Sequence, residues 1–179
     1  MKFASLILAT LLPLAAQEIK LPPGLEKLAE RATEVVDVTL DAPLLQLASR
    51  FLSDKDPDEA RVKKLVSGLK GVYVKSFEFD SRGQYQESDI EALRSQFRAP
   101  AWARIVGVRS RKSGDNADIF LKSDGGQVTG LMVIVAEPRE LTIVSISGPI
   151  NPDDIRDLGG HFGIPKLEVT RKSNPNKEE

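Results

Sequence analysis

The stretch Gln127-Val128-Thr129-Gly130-Leu131-Met132-Val133-Ile134-Val135-Ala136-Glu137 decides the fold. From Leu131 to Ala136 it is apolar at both odd and even positions, so a strand here presents two apolar faces and belongs inside a sheet. Turn chemistry bounds it on both sides, with Asp124-Gly125-Gly126 before it and Glu137-Pro138-Arg139-Glu140 after it. Beyond these turns, strand patterns run near 117–122 and 140–147, and another covers 102–110. Four consecutive strands joined by short turns form an antiparallel meander.

Toward the N-terminus, the spacing of Leu25, Leu28, Ala29 and Ala32 predicts a short helix, and Val36, Val38 and Leu40 alternate as a half-buried strand. Asp41 with Pro43 opens a second helix, whose stripe Leu44, Leu45, Leu47, Ala48, Phe51 and Leu52 is broad enough to predict deep burial. Asp56-Pro57-Asp58-Glu59 has the form of a capping box and starts a third helix. In Val72 to Phe79 the apolar residues change parity between Val74 and Phe77, which predicts a bulge near Lys75-Ser76. Ser88 to Glu91 reads as another capping box, with Pro100 ending its helix. Asn151-Pro152-Asp153-Asp154 starts a last helix that Gly159-Gly160 ends. The expected architecture is α+β: a two-layer sandwich, with a mainly antiparallel sheet, a four-strand C-terminal meander and helices packed on one face. It occupies residues 35–168 as a single domain, after a helical lead-in at 17–34 and before a polar, disordered tail at 169–179.

The N-terminus has a different character. Lys2 precedes the uncharged run Phe3 to Gln17, which contains Leu6 to Leu12 and exits through Ala15-Ala16. A basic start, a short apolar run and small residues predict a signal peptide at 1–16, cleaved near Ala16, and hence an exported, periplasmic or extracellular product. The run is shorter than the roughly 20 residues of a spanning helix, so no transmembrane segment is expected in the mature chain. The 179 residues carry a formal net charge of −1, with 41% hydrophobic and 28% charged residues. No basic excess draws such a chain to nucleic acid. Cys is absent, which excludes disulfides, thiolate metal ligands and cysteine nucleophiles, and the single His excludes a His-rich zinc site.

The chemical motifs are incomplete. Asp54-x-Asp56-x-Asp58 imitates a calcium loop but has Glu59 where Gly is needed and Leu65 where the bidentate Glu belongs. Ser67-Gly68-Leu69-Lys70 and Lys112-Ser113-Gly114 evoke penicillin-binding enzymes, but the serine sits at a helix end and no S-D-N accompanies it. Gly68 to Gly71 fits the G-x-x-G of a nucleic-acid clamp, yet it joins a helix to a strand. His161 follows two glycines with no G-x-S-x-G to supply a nucleophile, and no pair of carboxylates is singled out by spacing. Catalytic, metal and cofactor-binding residues are therefore not assigned. One patch stands out: Trp102, Arg104, Arg109, Arg111 and Lys112 lie along one strand and its turn. Either they form a surface for an envelope protein or anionic ligand, with Trp102 as anchor, or they are a solvated hairpin flank beside a core tryptophan.

Four segments resemble an exported bacterial family. They are Leu69 to Asp80, Trp102 to Gly107, Ala136 to Thr142, and Gly148-Pro149-Ile150 with Leu158-Gly159-Gly160 and Phe162 to Pro165. The family is catalogued as domain of unknown function 4252, and the resemblance spans roughly 35–165. It implies export and a single domain, brings no catalytic residues, and associates such proteins with extracytoplasmic sigma and anti-sigma factors. The expected function is that of a noncatalytic envelope binding or regulatory module. The alternatives are a small periplasmic hydrolase with an unrecognised site and a structural or assembly protein.

Overall fold

The computed structural model describes residues 19–151. The expected signal peptide at 1–16, the helix expected after Asn151, His161 and the tail 169–179 lie outside the described residues. Six strands form one sheet: β1 (Glu34–Asp41), β2 (Gly71–Glu78), β3 (Trp102–Arg109), β4 (Asn116–Asp124), β5 (Gln127–Glu137) and β6 (Glu140–Ile150). Their order across the sheet is β1-β2-β6-β5-β4-β3, with every neighbouring pair antiparallel. The meander is thus β3 to β6, and β2 extends it from the β6 side. β5 lies inside the sheet, as its two apolar faces require.

Helices cover both faces of this sheet, not one, so the chain forms three layers and not a two-layer sandwich. On the first face, α1 (Pro23–Glu26), the 3-10 turn after it and α4 (Glu87–Arg94) bring Leu25, Leu28, Ile90 and Leu93 onto Phe77, Met132, Ile134 and Ile143. On the second face, α2 (Ala42–Ser49) and α3 (Pro57–Gly68) set Leu45 and Leu65 in the core of Ile119, Leu131, Val133 and Ile146. The physical reason is the pattern of β5. Met132 and Ile134 point one way, Leu131 and Val133 the other, and all four are buried. Each such side chain gains about 1.5–3 kcal/mol from leaving water, so neither face is left bare.

The same fact removes the expected bulge in β2. Its register with β1 and β6 is unbroken from Gly71 to Glu78. Val72 serves the second core, Phe77 the first, and Phe79 joins the first core from beyond the strand end. The irregularities lie elsewhere, between Arg104 and Val106 in β3 and near Lys122/Ser123 and Val128/Gly130 in the other meander pairs.

The helix starts follow local chemistry. The Asp41 carboxylate accepts the Leu44 N–H at 3.0 Å, and Asp56 accepts those of Asp58 and Glu59 at 2.8 and 3.2 Å. Glu59 does not reach back to Asp56 but accepts the Ser53 N–H at 2.6 Å. α4 begins one residue before the expected box: Gln86 is its N-cap, without a side-chain cap, and Ser88 lies within the helix. α2 is far less buried than its stripe suggests. Only Leu45 and Ser49 face inward, while Leu44, Leu47 and Phe51 are exposed, Phe51 by 83%. A short helix packed on α3 and β1 can bury one narrow face, and the stripe is wider than that. Among the described residues no helix is long and apolar enough to cross a membrane.

Candidate functional site: a guanidinium cluster on the β3 edge

β3 is an edge strand, and its bulge governs where its side chains go. Trp102, Arg104, Gly107 and Arg109 pair with Lys122, Phe120, Asp118 and Asn116 of β4. Arg104 and Arg109 have opposite parity, and an unbroken strand would send them to opposite faces. The extra residue, Ile105, restores them to one face. That face is the first one, because Phe120 lies in its core.

The cluster is organised by Asp118, which is 0% exposed. Arg109 Nη2 donates to both of its carboxylate oxygens at 2.9 Å. Arg94 Nε, from α4, donates at 2.6 Å, and Arg104 Nη1 at 3.3 Å. The Arg104 guanidinium passes over Gly107, where a Cβ would lie 3.4 Å from Arg104 Cζ. Arg94 is itself buried, and its Nη1 also donates to Glu87 and, at 3.4 Å, to Glu91. Burial opposes the Arg94 charge, but the hydrogen bonds it donates to Glu87 and Asp118, with their charges, outweigh burial, so its pKa is raised. Arg94 Nη2 is buried with no hydrogen-bond partner among the described residues.

One buried carboxylate therefore meets three guanidiniums. Arg94 is shared with Glu87 and Glu91, whereas the side chains of Arg104 and Arg109 remain 54% and 39% exposed. Arg104 is held through Nη1 and keeps its other donors for an outside acceptor, whereas Arg109 also donates from Nη1 to the carbonyls of Val108 at 2.7 Å and Ala117 at 3.4 Å, which leaves its Nε. Trp102 is half-buried. Its ring meets Phe97 edge-on at 5.0 Å between centroids, and Lys122 Nζ lies 6.0 Å from its centroid. It spreads across its row of the sheet because Gly130 leaves room: a Cβ there would lie 3.2 Å from Trp102 Cη2.

Three of the five expected residues, Trp102, Arg104 and Arg109, thus come together on one face. Arg111 and Lys112 do not join them, because they are exposed in the β3–β4 turn, which closes from Ser110 to Asp115. Asp118, Arg94 and Glu87 escaped the sequence reading. A signal existed for Asp118: it shares the inward parity of Phe120 in an apolar strand, where a carboxylate needs partners. Nothing local marks Arg94, which reaches the site from another element.

The other motif residues have structural roles. Asp54 pairs with Lys63 at 2.6 Å, and Ser67 Oγ donates to the Lys63 carbonyl at 2.7 Å. Ser113 Oγ donates to Ser110 Oγ at 2.6 Å within the turn. Beside this turn, Tyr85 donates its hydroxyl to the Glu137 carbonyl. Burial, with Glu87 and other nearby carboxylates, raises the Tyr85 pKa to about 12. Burial and then Asp115 and Glu140 raise that of Glu137. Among the described residues no three His, Cys, Asp or Glu side chains are grouped to hold a metal ion.

Comparison with curated proteins and with solved structures returned no match. A family model matches residues 30–158, a span that includes the whole sheet, α2 to α4 and the cluster around Asp118. The chain belongs to the family that this model describes, a domain of unknown function (DUF4252).

Proposed function

We propose that this protein is an exported, noncatalytic binding module of the bacterial envelope that takes an acidic, extended segment of a partner protein along β3. The observation that carries this reading is the pair Arg104 and Arg109, fixed on buried Asp118 yet exposed at an open sheet edge. Among the described residues the outer edge of β3 has no neighbouring strand, so an added strand would satisfy its backbone groups. Alternate side chains of that strand would face the two guanidiniums, and Ile105 and Val108, both exposed, supply apolar area. Arg111 and Lys112 extend the positive charge beyond the strand. A regulatory role beside extracytoplasmic sigma and anti-sigma factors rests on the family resemblance.

The test uses Trp102, the single tryptophan, as an intrinsic fluorophore. An acidic peptide of alternating Glu and Val should bind saturably and more weakly as salt rises, and its Lys/Val counterpart should not bind. Arg111→Glu with Lys112→Glu should weaken binding and flatten its salt dependence. Arg109→Glu is unsuitable, because it would set a carboxylate against Asp118. Equal binding by the charge-reversed protein would exclude this edge.

A further inference from the structure

A concavity lies at the opposite edge of the sheet. It occupies about 800 Å³ on the first face, under β1, β2 and β6, and the segment Ile19–Leu21 closes one side. This size suits a small organic ligand. Its floor is set by strand register. Thr39, Tyr73 and Ser145 are direct cross-strand neighbours, so three hydroxyls lie in one row. The next row is Asp41, Gly71 and Ser147. Gly71 at its centre leaves the floor open, and Ser147 Oγ is occupied by the Gly71 carbonyl at 3.3 Å. The third row is closed by an ion pair, Lys75 to Asp37 at 2.6 Å.

The cations at this concavity fall into two kinds. Lys75 is neutralised by Asp37, and Asp41 is occupied as the cap of α2. Lys20, Lys70 and Glu26 line the cavity, and neither lysine forms an ion pair among the described residues. Lys70 is held in place at its backbone, where its N–H donates to the Ser147 carbonyl at 2.7 Å. That approach depends on Gly148, at φ +127°, where a Cβ would lie 2.8 Å from both Leu69 Cα and Lys70 N. Burial, aided by Asp37, raises the Tyr73 pKa to about 12, so its phenol stays a neutral donor even at alkaline pH. The cavity thus combines Lys20 and Lys70, which form no ion pair among the described residues, and one carboxylate, Glu26, with a row of hydroxyls that have no side-chain hydrogen-bond partner among the described residues. Two ammonium groups against one carboxylate favour an anion, and a hydroxyl row suits a ligand that carries hydroxyls of its own.

We propose that this cavity binds a small polyhydroxylated anion, with a carboxylate or phosphate group at Lys20 and Lys70 and hydroxyls over Thr39, Tyr73 and Ser145. The site is separate from the β3 edge, and either can fail without the other. The test is titration of the isotope-labelled protein, followed by amide chemical shifts, with glucuronate, glucose 6-phosphate, glucose and inorganic phosphate. One or both sugar anions should produce saturable shifts at Thr39, Tyr73 and Ser145, and comparison of the two distinguishes carboxylate from phosphate. Glucose and inorganic phosphate alone should bind less well. Lys20→Met and Lys70→Met, both at exposed positions, should each weaken binding about tenfold, or roughly 1.4 kcal/mol. Ser145→Leu should block the cavity. The two lysine variants decide the matter whether or not that variant folds. Absence of saturable shifts with both sugar anions at millimolar concentration, or unchanged affinity in both lysine variants, would overturn the proposal.

Discussion

Asp118 concentrates more of the molecule's electrostatics than any other described side chain. It is fully buried and accepts from Arg94, Arg104 and Arg109. Asp118→Asn keeps the shape but removes the charge that three guanidiniums share, and it should cost about 3–5 kcal/mol in urea unfolding. Arg104→Gln should cost no more than about 1 kcal/mol, because its side chain is 54% exposed and its contact with Asp118 is 3.3 Å long. The cluster was half legible in the chain. Arg104 and Arg109 are near in sequence, whereas Arg94 arrives from α4 and the parity of Arg109 pointed away from that of Arg104. Two tyrosines give a pH signature. The pKa values of Tyr73 and Tyr85 rise from 10.0 to about 12 in the fold. The unfolded chain then ionises first, so the stability due to the neutral phenols is full below pH 10.0 and is lost as pH rises toward about 12. Denaturant midpoints measured across this window should fall, and Tyr73→Phe should reduce the fall.

At the scale of elements, the bulge at Ile105 is the feature on which the β3 surface depends. Deleting Ile105 should turn Trp102 and Arg104 to the other face relative to Arg109. Trp102 then leaves Phe97, and its emission should shift to the red in the folded protein, with a loss of stability. An unchanged spectrum would mean that the strand re-forms the bulge elsewhere. α2 makes the contrasting case. Leu45→Ala should cost about 2–5 kcal/mol, since Leu45 is 2% exposed, while Leu47→Ser should stay within about 0.5 kcal/mol. The apolar stripe predicted equal burial for both. Periodicity reports which residues share a helix side, but the width actually covered depends on the partners, here α3 and β1. Asp56→Ala should cost about 0.5–2 kcal/mol, because two N–H groups of α3 lose their acceptor.

For the whole molecule, export remains a proposal with a direct check: N-terminal sequencing of the protein recovered from the envelope should begin at or within about two residues of Gln17. Intact Met1 on a cytoplasmic protein would overturn it. The meander, the positions of its turns and the caps at Asp41 and Asp56 were all determined by the sequence alone, because they depend on interactions within a few residues. Glycine pairs, alternation and carboxylates before a helix act locally and leave local marks. The interior place of β5 was equally legible, since no half-exposed strand tolerates apolar residues at both parities. Only the tertiary structure decided that helices cover both faces, that β2 needs no bulge and that β3 has one. It alone decided that Arg94 meets Asp118, and that Thr39, Tyr73 and Ser145 form one row. Those outcomes depend on which distant surfaces meet, and burial of area is indifferent to sequence separation.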